Sequence, residues 1–197
     1  MRLAGQRQTP LVDCVTTARS DNGLTHMTPS AAKMILDSWF RDRHVESVRC
    51  IHIEDPAKDP HSRYEVTLET VFEPTSLEMG RLELWLTKSG EISVGFETVE
   101  RVAKRLNVKG IKSGFAAGHE PQEISKEGLL AVLDLVANGE IAIHPAVLPL
   151  IGISHVTAYT SAQALTRLVN AGYSATQWLH RRQHGDNGSL LEYRAWI

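Results

Sequence analysis

The sequence predicts an α+β protein, with an N-terminal α-β-β-β-β-α antiparallel sheet unit followed by a smaller α+β domain. Three observations carry this expectation. Tyr64, Val66, Leu68, Thr70 and Phe72 alternate with Arg63, Glu65, Thr67, Glu69 and Val71, the period of two of a strand with one buried face. Leu82, Leu84 and Leu86 repeat the pattern, and Ser89-Gly90 turns the chain back into Ile92, Val94 and Phe96 as a hairpin. Helical stripes flank these strands, with Met34, Ile35, Leu36, Trp39 and Phe40 before them and Val99, Val102, Ala103 and Leu106 after them.

Taken in order, residues 1–27 show no period and predict a weakly ordered arm. The sheet unit spans residues 28–107. Thr28-Pro29-Ser30 is a helix start, a capping hydroxyl followed by proline in the first turn, and Arg41-Asp-Arg-His closes that helix. The β-branched run Val45–Ile53 predicts the first strand, and Asp55–Pro60 a loop. The unit ends in a helix over 97–106 with Arg101, Lys104 and Arg105 pointing outward, and it should bury its core without help from the rest of the chain. Gly110, Gly114, Gly118 and Pro121 make 108–124 a linker. The second domain, 125–197, opens with a helix capped by Ser125, carrying Leu129, Leu130, Val132, Leu133, Leu135 and Val136, and stopped by Asn138-Gly139. A short strand over 140–143, a helix over 145–151 and a longer helix over 155–171 follow. A strand over 176–183, a turn at Asp186-Asn-Gly188 and a strand over 189–196 complete the domain.

At 197 residues, 42% hydrophobic and 22% charged, the chain has room for one domain or two small ones with a core. No apolar run approaches the roughly 20 residues of a membrane helix. The first 25 residues lack the apolar segment of a secretory signal. Cys14 and Cys50 make no disulfide framework, which fits a reducing cytoplasm. A net charge of −2 excludes a wholly basic nucleic-acid coat, but charge is uneven. Residues 101–113 hold Arg101, Lys104, Arg105, Lys109 and Lys112 and no acid. Residues 141–185 also lack acids while carrying Arg167, Arg181 and Arg182.

No nucleophile elbow, phosphate-binding glycine loop, dinucleotide fingerprint or His-Glu-x-x-His pair occurs, so no catalytic residue, metal or cofactor is expected. His180 and His184 stand at i, i+4 with no carboxylate or cysteine at ligand spacing. His52 and His61 flank the charged loop of Glu54, Asp55 and Asp59. An acid/base site there is the least favoured reading, because the cluster reads as a surface turn. Glu97 and Glu100 suit the dipole of the helix start beside them.

Ile151-Gly-Ile-Ser-His-Val-Thr-Ala-Tyr159 looks like the turn and entry of a helix-turn-helix. Leu165-Thr-Arg-Leu-Val-Asn-Ala-Gly-Tyr173 is similar to a recognition helix leading into a wing. With the order of elements over 125–197, this segment resembles the winged helix-turn-helix superfamily. A helix in the major groove needs small or polar residues and few acids. The resemblance therefore implies nucleic-acid contacts from Ser154, His155, Thr157, Tyr159, Gln163 and Arg167, with Arg181 and Arg182 on the wing reaching phosphates. Arg101, Lys104 and Arg105 should share that face. The expected function is a nucleic-acid-binding or regulatory protein. DNA is its partner, and the sheet unit senses a ligand or forms a homodimer. The alternative is a non-catalytic protein-binding module, of inhibitor or immunity type, whose acidic residues Glu65, Glu69, Glu73, Glu78 and Glu83 mask a basic target.

Overall fold

The computed structural model describes residues 26–57, 63–108, 115–148, 152–173, 179–181 and 190–197. The arm expected at 1–27 lies outside these residues except for His26 and Met27. The class is α+β, and antiparallel sheets dominate. Among the described residues no helix is long and apolar enough to cross a membrane.

The first half follows the expected order. Helix α1 (Pro29–Asp42) is capped by Thr28, whose hydroxyl accepts the Ala31 amide at 3.2 Å, with proline opening the first turn. Strands β1 (Val48–Glu54), β2 (Val66–Pro74), β3 (Leu82–Thr87) and β4 (Ile92–Thr98) form an antiparallel meander. The β3–β4 hairpin turns at Gly90, whose φ of 82° suits a residue without Cβ. Helix α2 (Val99–Leu106) follows, with Thr98 accepting the Arg101 amide and Asn107 closing the helix in the left-handed region at φ 54°.

The linker expected at 108–124 instead carries a fifth strand, β5 (Phe115–Gln122), which completes the order β1-β2-β3-β4-β5. Its glycines read as loop, but Gly118 pairs across the ladder with Gly95 of β4. Glycine tolerated within a strand marks a close approach of backbones.

One face of this sheet is the core. Leu68, Phe72, Leu82, Leu84, Leu86, Ile92, Val94 and Phe96 project from it, all at 4% exposure or less. Ala32 and Leu36 of α1, together with Leu129 of helix α3 (Lys126–Ala137), enclose a small space over Leu68, Leu84, Leu86 and Ile92. The sheet unit is therefore not self-sufficient. Trp39 Nε1 of α1 donates to Asp134 Oδ1 of α3 at 2.9 Å, and Arg43 pairs with the same oxygen at 2.7 Å. Trp196 stacks on Phe72 at 5.6 Å, meets Trp39 edge-on at 6.4 Å and donates to the Gly80 carbonyl at 2.9 Å. One continuous core runs from α1 to Ile143 and Leu168.

The second half departs from expectation. β6 (Ile141–Leu148) runs through the segment expected as strand 140–143 and helix 145–151. Pro145 is tolerated because β9 (Leu191–Glu192) pairs only with Ala142 and Ile143, so the ladder beyond is one-sided among the described residues. The expected long helix 155–171 is instead strand β7 (Gly152–Thr160) followed by helix α4 (Ala162–Asn170), capped by Ser161. Val156, Thr157, Tyr159 and Thr160 are β-branched or aromatic and favour the strand. α4 crosses over to a short strand, β8 (Leu179–Arg181), parallel to β7, giving the order β8-β7-β6-β9. Two helices meeting at a tight turn before a hairpin, the order behind the winged-helix resemblance, are not found among the described residues. The expected turn at 186–188 lies outside the described residues.

Candidate functional site

The face of the five-stranded sheet opposite the core carries the charge. The register places Arg49 opposite Glu73, Arg81 reaches Glu73 from just before β3, and the Glu97 amide donates to the Arg81 carbonyl to extend the row. A second row is Ile51, Val71, Glu83 and Gly95. A third is Ile53, Glu69, Trp85 and Ser93. The alternation expected to give β2 a wet face thus lines up Glu69 and Glu73 beside Glu83 on β3.

The first row is a closed ionic ladder. Arg81 Nε donates to Glu73 Oε2 at 2.6 Å, and its Nη1 pairs with Glu83. Arg101, from α2, donates to Glu97 Oε1 at 2.7 Å, to Glu73 Oε1 at 3.2 Å and to the carbonyls of Ser76 and Met79 at 3.0 Å each. Glu97 is 1% exposed, and its Oε2 is buried without a hydrogen-bond partner. Its φ of 55° is a conformation that glutamate seldom adopts. Burial raises its pKa, and Arg101 works against that rise. Glu97 therefore ends a strand inside a buried network, where a helix-dipole role was expected.

Glu83 is the unusual group of this face. It is 5% exposed and its carboxyl is pushed up to about 7. Burial is the main cause; Arg81 opposes it, while the negative charges of Glu69 and Glu73 add to it. Among the described residues its ion-pair partner is Arg81, which it shares with Glu73. Around it Ile51 and Ile53 are each 41% exposed on β1, and Glu69 and Trp85 are half-buried. β1 is also an end strand of this sheet among the described residues, and its outer edge adjoins this patch.

Those of the expected nucleic-acid residues whose side chains are described lie in different settings. Arg101, expected to point outward, turns inward with all three of its side-chain nitrogens engaged. Arg105 lies 4.8 Å from the Tyr193 ring centre and donates to the Glu192 carbonyl at 2.7 Å. Lys104 is exposed on α2. Arg167 pairs with Glu140, and Gln163 is exposed beside it on α4. Ser154, His155, Thr157 and Tyr159 belong to β7 rather than to a helix. Tyr159 is half-buried, and the other three side chains lie outside the description, as do the Arg181 side chain and Arg182.

Asp37, Cys50 and His52 bring three possible metal-ligand atoms within 4.8 Å of one another, the one such group among the described residues. Without a cation they make no nucleophile. Burial, and then the Asp37 charge, push the Cys50 thiol up to about 12, so it stays protonated at neutral pH. Cys50 and His52 stand two apart on a strand, hence on one face, and that pairing was readable from the sequence; Asp37 comes from a helix and was not. No protein family, no curated protein and no solved structure matches the chain.

Proposed function

We propose that the protein is a non-catalytic binding module that docks a partner protein on the outer face of its five-stranded sheet. The partner presents a basic side chain to Glu83 and Glu69 and apolar surface to Ile51, Ile53 and Trp85. The observation that carries this is Glu83, a carboxyl at 5% exposure pushed up to about 7, beside two isoleucines at 41% exposure. A buried acid crowded by two others lowers stability, and a lysine or arginine delivered by a partner supplies the missing positive charge. Exposed isoleucines next to a desolvated charge give the apolar contact and the charged anchor that interfaces combine.

The test is affinity capture on the full chain from nuclease-treated extract, read by quantitative mass spectrometry. A partner of the expected kind is retained by the wild type and by Val169→Asp, which alters an exposed residue on α4. It is lost from Ile51→Asp and weakened by Glu83→Gln. Capture that disappears with nuclease, or that ignores both sheet-face substitutions, overturns the reading and favours nucleic acid or another surface.

A further inference from the structure

Asp37, Cys50 and His52 lie on the helix-covered side of the sheet, away from the proposed docking face, and the inference drawn from them stands independently of it. His52 projects from β1 with its two ring nitrogens in different settings. Nδ1 is 2.9 Å from the hydroxyl of Thr70, a residue 1% exposed on β2. Nε2 is 3.0 Å from Asp37 Oδ1 and 3.7 Å from Cys50 Sγ. One nitrogen is thus held by a buried hydroxyl, and the other is aimed at a carboxylate and a thiol.

We propose that these three side chains form a binding site for a zinc-class divalent cation, with His52 Nε2, Cys50 Sγ and Asp37 Oδ1 as ligands. The spacing supports this. Metal–ligand bonds of about 2.0–2.3 Å in a tetrahedron put ligand atoms roughly 3.2–3.7 Å from one another. The two separations from Nε2, 3.0 and 3.7 Å, bracket that range, and the three atoms all lie within 4.8 Å of one another, so rotation of the exposed Asp37 side chain closes the set. The donor set of thiolate, imidazole and carboxylate is the one zinc and cobalt accept, whereas calcium and magnesium take oxygen alone. Thr70 supplies the orienting partner that ligating histidines require: with Nδ1–H donating to Oγ1, the Nε2 lone pair is left for the metal. The bound dication reverses the electrostatics of the cluster. Cys50 releases its thiol proton to solvent, and the thiolate formed is neutralised by the metal rather than repelled by Asp37.

Access and coordination number follow from exposure. The His52 side chain is 14% exposed and that of Asp37 is 60%, so an ion enters from the Asp37 side. Asp37 also borders an open groove shared with Lys33, Met34, Glu54 and Thr67, so the fourth position opens toward solvent and holds water or a small exchangeable ligand.

Cobalt(II) is the probe, added to the full chain carrying Cys14→Ser so that Cys50 is the sole thiol. The expected result is one cobalt per chain with a near-ultraviolet thiolate-to-cobalt charge-transfer band and visible bands of tetrahedral strength, both displaced by zinc. Cys50→Ser removes the charge-transfer band, while His52→Ala and Asp37→Ala weaken binding at least 10-fold. Thr70→Val weakens it about 10–100-fold while keeping the band position, as loss of an orienting hydrogen bond does. His44→Ala, an exposed histidine outside the cluster, changes nothing. Circular dichroism checks that each variant is folded. Absence of a charge-transfer band in Cys14→Ser protein, or a band indifferent to His52→Ala, overturns the proposal.

Discussion

Replacing Glu83 by glutamine tests the electrostatics of the sheet face most directly. The carboxyl titrates near 4.5 when unperturbed and at about 7 in the folded protein. The native state therefore holds this proton more tightly than the unfolded chain. Its contribution to stability is full below the unfolded value, is lost progressively as pH rises, and changes no further once pH has passed through the folded value. At 1.36 kcal/mol per pH unit, the interval from 4.5 to about 7 sets an upper limit of about 3.4 kcal/mol. Solvent at the margin of the sheet screens part of this, so about 1–2 kcal/mol is expected. Glutamine matches the protonated acid in shape and cannot ionise. Wild type and Glu83→Gln should thus be equally stable near pH 4, and the variant should be more stable by about 1–2 kcal/mol at pH 8. Urea unfolding at several values from pH 4 to 8 measures the gap. Parallel profiles, or a gap that closes as pH rises, would refute the assignment of Glu83 as a buried acid with a raised pKa.

Three further outcomes follow from the packing. Arg101→Met leaves Glu97 buried without its cation and should cost about 3–5 kcal/mol at neutral pH, a cost that shrinks as pH is lowered and the raised carboxyl takes a proton, with recovery in Arg101→Met/Glu97→Gln; urea unfolding across pH checks it. Trp196→Ala removes an indole stacked on Phe72 and orphans the Gly80 carbonyl, for a loss of about 3–5 kcal/mol in a single cooperative transition; separate transitions for the two halves would contradict the continuous core. Gly139→Ala places a Cβ 2.4 Å from the Tyr193 carbonyl oxygen at a φ of 67°, so backbone must shift, and a loss of at least about 2 kcal/mol is expected by thermal or urea unfolding.

The elements that were legible in the sequence are those whose local signals agree with their burial. The alternation in β2 and β3, the Ser89-Gly90 turn and the hydroxyl caps at Thr28 and Ser125 all point one way, and each element forms where expected. β5 was hidden because Gly118 suggests loop, and only the cross-strand glycine at position 95 explains its place in a ladder. β7 was hidden because Ile151–Tyr159 looks like the turn and entry of a helix-turn-helix, although Val156, Thr157, Tyr159 and Thr160 favour a strand; the helix cap is Ser161. Arg101 defeated the helical-stripe argument for a different reason. Amphipathicity sorts residues by polarity, and a guanidinium whose three nitrogens all bond to Glu97, Glu73 and two carbonyls is polar and inward at once. The same blindness applies to the sheet face. Period two shows that Glu69 and Glu73 share a side, but their crowding of Glu83 depends on the β2–β3 register.

The two faces of the five-stranded sheet are under different constraints. On the core face, apolar side chains from β2, β3 and β4 sit at a few per cent exposure, and local preference and packing agree. On the other face the chain keeps a buried glutamate at about 7, a second buried glutamate in a left-handed conformation, and two half-exposed isoleucines on an outermost strand. Each of these lowers the stability of the isolated chain: the first by desolvation, the second by backbone strain of about 1–3 kcal/mol, the third by leaving apolar surface in water. A sequence shaped for folding alone would place glutamine, glycine and threonine at these positions. On the docking proposed above, a partner's cation and apolar contact would remove the first and third of these costs, while the strain at Glu97 would stay.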